Sequence, residues 1–271
     1  MSPLWRDEVG AYLSPGRICL VRLKRGLRPA VSTQHEQALN AGEAAGWEPA
    51  LAALDALLAD ESWRGAQLRL VLSDHWVRYA MVPWTAEVKS AGERLTHARQ
   101  LLLSMYGELV SQWEVCVSES PPLCPRVACT IPAGLIADLR TLCAKHAAKI
   151  ASLQPHLVAS YASWRHVLPR NNAWFVTVDQ GSLAAARIVP AGWDRVHSVR
   201  IGTDWTRELK RLQTFGRIAS ENPNEGRVYV DAPQAWREVA GEAGKDLQWL
   251  DEPTMALDTL QQLGRLRRWA A

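Results

Sequence analysis

Trp174-Phe-Val-Thr-Val-Asp-Gln-Gly-Ser-Leu-Ala-Ala-Ala-Arg-Ile-Val189 contains two apolar runs around a polar turn. Trp174 to Val178 and Leu183 to Val189 read as strands, since β-branched and aromatic runs bounded by turn formers suit a pleated sheet. Between them, Asp179-Gln180-Gly181-Ser182 carries the residue types a tight turn selects. Downstream, Pro190 to Gly192 turns the chain into a third strand, Trp193 to Ile201. Asp204 is placed to cap a helix whose apolar face is Leu209, Leu212, Phe215 and Ile218. Asn222-Pro-Asn-Glu-Gly226 breaks that helix, and Arg227 to Val230 is a short strand.

The same order occurs nearer the N-terminus. Glu8 to Leu13 and Arg17 to Leu23 flank the turn Ser14-Pro15-Gly16, and Arg28 to Thr33 adds a third strand. Pro49 suits a first helical turn, and Leu51, Leu54, Leu57 and Leu58 give that helix one apolar face. Gln67 to Leu72 follows Arg64-Gly65 as a strand, and His75 to Val82 is another, closed by Pro83. Hairpin, strand, helix and strand thus recur near residues 8–73 and 174–231. That duplication predicts an α/β chain with the actin-like (ribonuclease-H-like) two-lobed fold.

A different unit lies between the repeats. Ala86 to Met105 reads as a helix with Leu95, Ala98, Leu102 and Met105 on one face. Trp113 to Glu119 and Arg126 to Ile131 are strands around the Pro121-Pro122 loop. Ala133 to Ala148 is a second helix with Leu135, Ile136, Leu139 and Leu142 facing inward; Ile150 to Gln154 is a strand, and Val158 to Leu168 a helix. The expected organisation is a first lobe over 1–168 with an inserted α/β subdomain at about 86–150, a hinge at 169–172 and a second lobe over 173–271.

These segments resemble the actin-like assembly proteins PilM of type IV pili and the cytoplasmic domain of the secretion protein GspL. The resemblance runs through Val9 to Leu23, Leu70 to Pro83, Trp113-Glu-Val-Cys-Val-Ser-Glu119, Ala151-Ser-Leu-Gln-Pro-His156 and Phe175 to Ser182. It implies a scaffold or adaptor that binds the cytoplasmic tail of an inner-membrane pilus or secretion assembly protein and helps couple an assembly ATPase. It also implies a cytoplasmic location, peripheral to the inner membrane through partners, with homo-oligomerisation open to it. The partner groove is expected near the inserted unit, with Trp76, Trp84, Trp113 and Val115 as candidate wall residues.

Actin-like ATPases hold phosphates with two hairpins that each offer an Asp, a Gly and a small hydroxyl residue. The turn aims N–H groups at the anion, and the carboxylate positions a metal-bound water. The first hairpin here has Ser14 and Gly16 but no Asp, and Pro15 removes one N–H donor. The second retains Asp179, Gly181 and Ser182, while Val228-Tyr-Val-Asp-Ala-Pro233 lacks the Gly pair of the adenosine loop. The five residues Ser14, Gly16, Asp179, Gly181 and Ser182 are therefore read as a vestigial nucleotide cleft. The expectation is no required cofactor, weak or absent binding of ATP with Mg²⁺, no resident metal and no catalytic residue. The alternatives are a nucleotide-binding ATPase of the same machinery and a sugar-kinase-like enzyme.

Bulk composition agrees with a globular protein. Of 271 residues, 48% are hydrophobic and 22% charged, and the net charge of +3 is too small to announce a nucleic-acid partner. No Walker A loop, GxGxxG, HExxH or GxSxG is present. The count of 13 Trp against 2 Phe suggests core and boundary packing. The five Cys form no CxxC pair, and Cys19, Cys116 and Cys129 lie in apolar runs, which predicts small reduced core residues in a reducing compartment. A C-terminal helix over Leu257 to Trp269 ends in Arg265, Arg267 and Arg268, and membrane contact through it is expected to be indirect.

Overall fold

The computed structural model describes residues 7–24, 30–39, 46–64, 67–170, 172–202, 205–218 and 226–250. The expected cap at Asp204, the start of the expected third strand at Arg28, most of the break at 222–226 and the C-terminal helix lie outside them.

In chain order the elements begin with β1 (Glu8–Leu13), β2 (Arg17–Lys24), β3 (Ala30–Ala38), α1 (Glu48–Ala59), β4 (Gln67–Leu72) and β5 (Arg78–Val82). There follow α2 (Ala91–Tyr106), β6 (Trp113–Val117), β7 (Arg126–Pro132), α3 (Ala133–Lys145), β8 (Lys149–Pro155) and α4 (His156–Trp164). The remainder is β9 (Ala173–Asp179), β10 (Ser182–Val189), β11 (Gly192–Arg200), α5 (Trp205–Ile218), β12 (Arg227–Asp231), α6 (Gln234–Ala240) and β13 (Gln248–Trp249).

Two five-stranded sheets have matching orders, β3-β2-β1-β4-β8 and β11-β10-β9-β12-β13. In each, three strands form an antiparallel meander, and the first of them is flanked on its other side by two parallel strands. Parallel neighbours need a crossover connection, which is why helices separate them in sequence. β1 and β9 are each buried along their whole length, as expected of central strands that read apolar nearly throughout. The polar exception in β1 is Glu8, whose carboxylate meets the Arg69 guanidinium of β4 at 3.1 Å.

The chain divides into two compact units. One runs up to His75 and resumes over Gly134–Trp164; the other comprises Trp76–Ala133 and Arg165–Asp251. In the first, Tyr12, Cys19, Val21, Leu23, Val71 and Ala159 form a buried cluster. Helices α1 and α3 of this unit are tied by two polar clamps. Asp55 accepts from Lys145 Nζ at 2.6 Å and lies 2.6 Å from His146 Nε2, and Trp47 Nε1 donates to Asp138 at 2.9 Å.

The second unit holds the β9–β13 sheet and a three-stranded sheet, β5-β7-β6. Its first core gathers Val176, Val178, Leu183, Val230 and Leu247 around Trp205, which is fully buried. Trp205 Nε1 donates to the Trp236 carbonyl at 3.1 Å, so the large ring is buried without stranding its donor. Its second core packs Ala98 and Leu102 of α2 against Ala80, Val82 and Ala128.

Several expected boundaries move for local reasons. α2 starts at Ala91 rather than Ala86, because Ser90 and Glu93 form a capping box: Glu93 N–H donates to Ser90 Oγ at 3.1 Å and Ser90 N–H to Glu93 Oε2 at 2.9 Å. Met105, expected on the buried face, is exposed, since the stripe follows Ala98, Leu102 and Tyr106 at four-residue steps. The strand expected from His75 begins at Arg78, after a 3₁₀ turn over Asp74–Trp76. The sequence drew the inserted unit over about 86–150. The structure pairs β5 with β7 in its sheet, and α3 groups with the other compact unit.

Candidate functional site

Each five-stranded sheet carries a hairpin turn at the carboxyl end of its central strand. In the first, Ser14 N–H donates to the Arg17 carbonyl at 3.0 Å, and Ser14 Oγ donates to the same oxygen at 3.0 Å. Arg17 N–H in turn donates to Ser14 Oγ at 3.1 Å. The Ser14 hydroxyl is fully buried and engaged both as donor and as acceptor. Pro15 contributes no N–H, and the N–H groups of Ser14 and Arg17 are both spent within the turn.

The second turn is built on the same frame. Gly16 accepts at its carbonyl from Leu39 N–H at 2.8 Å, and Gly181 accepts from Ile201 N–H at 3.2 Å; both donors lie just past the third strand of their meander. This correspondence aligns Gly16 with Gly181 and sets Ser14 where the second hairpin has Asp179. Gly181 has φ +76°, a conformation open to glycine at little cost. Ser182 opens β10 and pairs in register with Asp179.

Asp179 is buried at the end of β9, and its carboxyl is pushed up to about 7. Burial is the main cause and the nearby Asp231 carboxylate adds to it, while a hydrogen bond from the Gln180 backbone opposes both. Asp231, fully buried at the end of β12, lies within the electrostatic reach of Arg237 from α6. That guanidinium sits 5.3 Å from the Trp249 ring centroid and donates to the Leu250 carbonyl at 2.9 Å. Among the described residues no group of three or more His, Cys, Asp or Glu is placed to hold a metal ion.

Around the first turn lie polar residues that the sequence did not single out as a set. Asp74, just beyond β4, accepts from Leu157 N–H at 3.2 and 3.0 Å through its two oxygens and so caps α4. This bond starts α4 at His156, two residues before the expected Val158. The His156 ring lies 5.1 Å from that of Tyr12, over which Arg17 also sits at 5.3 Å. Burial, aided by the Arg17 charge, pushes His156 down to about 3, so its imidazole is neutral at ordinary pH. The signal for this set was present in residue types but not in spacing: Asp74 and Leu157 are 83 residues apart.

All four candidate wall residues fall in the second unit, in different settings. Trp76 is buried, with 7% of its surface exposed, whereas Trp84 is 37% exposed. Trp113 and Val115, on β6, are half-buried and pack on the core beneath α2.

No protein-family model matches the chain, and no curated protein matches its sequence. Solved structures do match in shape. A chain of the PilM–PilN type IV pilus biogenesis complex superposes with a TM-score of 0.67 at 14% identity, over 95% of this chain and 94% of that one. A Bacteroides thetaiotaomicron protein with an actin-like ATPase fold and unknown function gives 0.64 at 11% identity, over 97% and 98%. The chain has the actin-like fold. The cytoplasmic domain of EpsL, an inner-membrane component of the type II secretion system of Vibrio cholerae, shares that actin-like fold with a TM-score of 0.61 at 12% identity, over 96% and 94%. Among the described residues, no helix of this actin-like chain is long and apolar enough to cross a membrane.

Proposed function

We propose that this chain is a non-catalytic actin-like scaffold of a pilus or type II secretion-like assembly platform, and that it binds the cytoplasmic tail of an inner-membrane partner. The observation that carries this reading is the first hairpin turn. Ser14 stands where the second hairpin has Asp179, and its hydroxyl is consumed within its own turn. A phosphate-holding pair of hairpins needs both turns open, and one is closed. The full-length likeness to the EpsL cytoplasmic domain and to the PilM–PilN complex supports the choice of platform.

The partner surface in this reading lies on the β5-β7-β6 sheet, with β6 at one edge and Trp84 just past β5 at the other. β6 is an edge strand of that sheet, so its outward backbone groups can pair with an extended peptide. Trp84 offers a large amphipathic side chain as an anchor.

A second reading, an ATPase of the same machinery, is favoured by one feature, the intact Asp179-Gln180-Gly181-Ser182 turn beside Asp231. To test the scaffold reading, the immobilised chain is offered the cytoplasmic segments of inner-membrane pilus and secretion assembly proteins from the same genome. Capture of one of them, weakened at least about tenfold by Trp84→Ala, is expected, as for an anchor worth more than about 1.4 kcal/mol. Equal capture by both forms moves the surface elsewhere, and no capture of any segment rejects the reading.

A further inference from the structure

Cys116 was expected to be a buried small hydrophobe, but it is exposed on β6. Its direct cross-strand partner on β7 is Cys129, which is half-buried. The alternation along this antiparallel pair fixes the geometry of the two thiols. Ser118 N–H donates to the Val127 carbonyl at 2.8 Å, so the Ser118–Val127 position is a hydrogen-bonded one. Two residues along each strand, Cys116 and Cys129 occupy the next such position, and Glu114 and Ile131 the one after. Pro132, which has no N–H, then falls opposite Trp113 at a position where none is needed. Hydrogen-bonded partners have Cα atoms about 5.5 Å apart, inside the range of about 4.4 to 6.8 Å that a disulfide spans.

We propose that Cys116 and Cys129 are a redox-sensitive pair that closes a reversible disulfide between β6 and β7 when a peroxide is present. The Cys116 thiolate attacks hydrogen peroxide, taking one oxygen to become a sulfenic acid while hydroxide leaves. The Cys129 sulfur then displaces that hydroxyl, which departs as water once protonated by the thiol hydrogen. In balance, two thiols and one peroxide give one disulfide and two waters; both sulfurs are oxidised and both peroxide oxygens reduced.

The surroundings distinguish this pair from the other thiols. Cys19 and Cys143 are buried, and burial pushes them up to about 12 and about 11, where little reactive thiolate exists. Cys116 moves the other way, down to about 6, chiefly because the Cys129 side chain hydrogen-bonds to it. β6 is an edge strand, so it can shift toward β7 without breaking a second ladder. Drawing the two Cβ atoms to disulfide distance strains the pleat, and strained, exposed disulfides are the readily reduced ones. The inference does not rest on the scaffold reading.

The test uses the full chain, reduced and then treated with hydrogen peroxide at pH 7 before thiol blocking and peptide mapping by mass spectrometry. A Cys116–Cys129 linked peptide is expected, with loss of two hydrogens from the intact mass and full reversal by dithiothreitol. Cys124→Ser must still form it, and Cys116→Ser must not. As an independent reading in the absence of oxidant, Cys129→Ala should slow alkylation of Cys116 about fourfold at pH 7. That figure offsets the lost thiolate against the greater nucleophilicity of a thiol returned from about 6 toward 9. Both thiols remaining free after peroxide, or a bond from Cys116 to Cys124 instead, would overturn the proposal.

Discussion

Asp179 and Ser14 occupy equivalent places in the two hairpins and answer to opposite demands. Ser14 completes its turn as a neutral hydroxyl with short local bonds, while Asp179 holds a carboxyl in a buried position beside a second one. In the unfolded chain Asp179 ionises near 3.8, but in the folded chain it keeps its proton until about 7. Between those values the folded state binds more protons than the unfolded state, so stability falls as pH rises through the window and levels off above it. Asp179→Asn removes the titration. Its stability relative to wild type is expected to climb from pH 4 to pH 7 by up to about 1.4 kcal/mol per pH unit and then stay level. Urea denaturation midpoints across pH 4 to 8 measure this; parallel curves for the two proteins would mean that Asp179 ionises normally. The turn itself was legible in the sequence, because Asp-x-Gly between apolar runs signals one. The proximity of Asp231 was not, since it depends on the parallel pairing of β9 with β12.

At the scale of elements, the central strands and their hairpins could be read from sequence because apolar runs and turn residues are local signals. Helix starts were harder. The capping box that begins α2 is written in the sequence as Ser90-x-x-Glu93, yet the apolar period alone drew the helix back to Ala86. α4 begins where it does because of Asp74, which no short window contains. Asp74→Ala removes an acceptor from the first turn of α4 and is expected to cost about 1 to 2 kcal/mol, against about 1 kcal/mol for Ser90→Ala in exposed α2. Thermal denaturation of both variants checks the order; a larger loss for Ser90→Ala would indicate that Asp74 does not cap α4. The pairing of Cys116 with Cys129 belongs to the same class of hidden facts. Composition gave two cysteines in apolar runs, and only the β6–β7 register sets them face to face.

For the whole molecule, the duplicated element order was enough to predict the actin-like fold, and the matching sheet orders bear that out. The inserted unit is expected over about 86–150 as a helix, two strands and a second helix between the repeats. That β5 would join its sheet was not visible, because His75 to Val82 reads equally well as a continuation of the first lobe. What the fold leaves open is the use made of it: the same architecture can turn over nucleotide or simply present surfaces to partners. In the scaffold reading, one closed hairpin removes the first use. Calorimetric titration of ATP with Mg²⁺ into the full chain tests this most directly. No saturable binding is expected below about 1 mM, a free energy weaker than about 4 kcal/mol. A micromolar dissociation constant, abolished by Asp179→Ala, would contradict it.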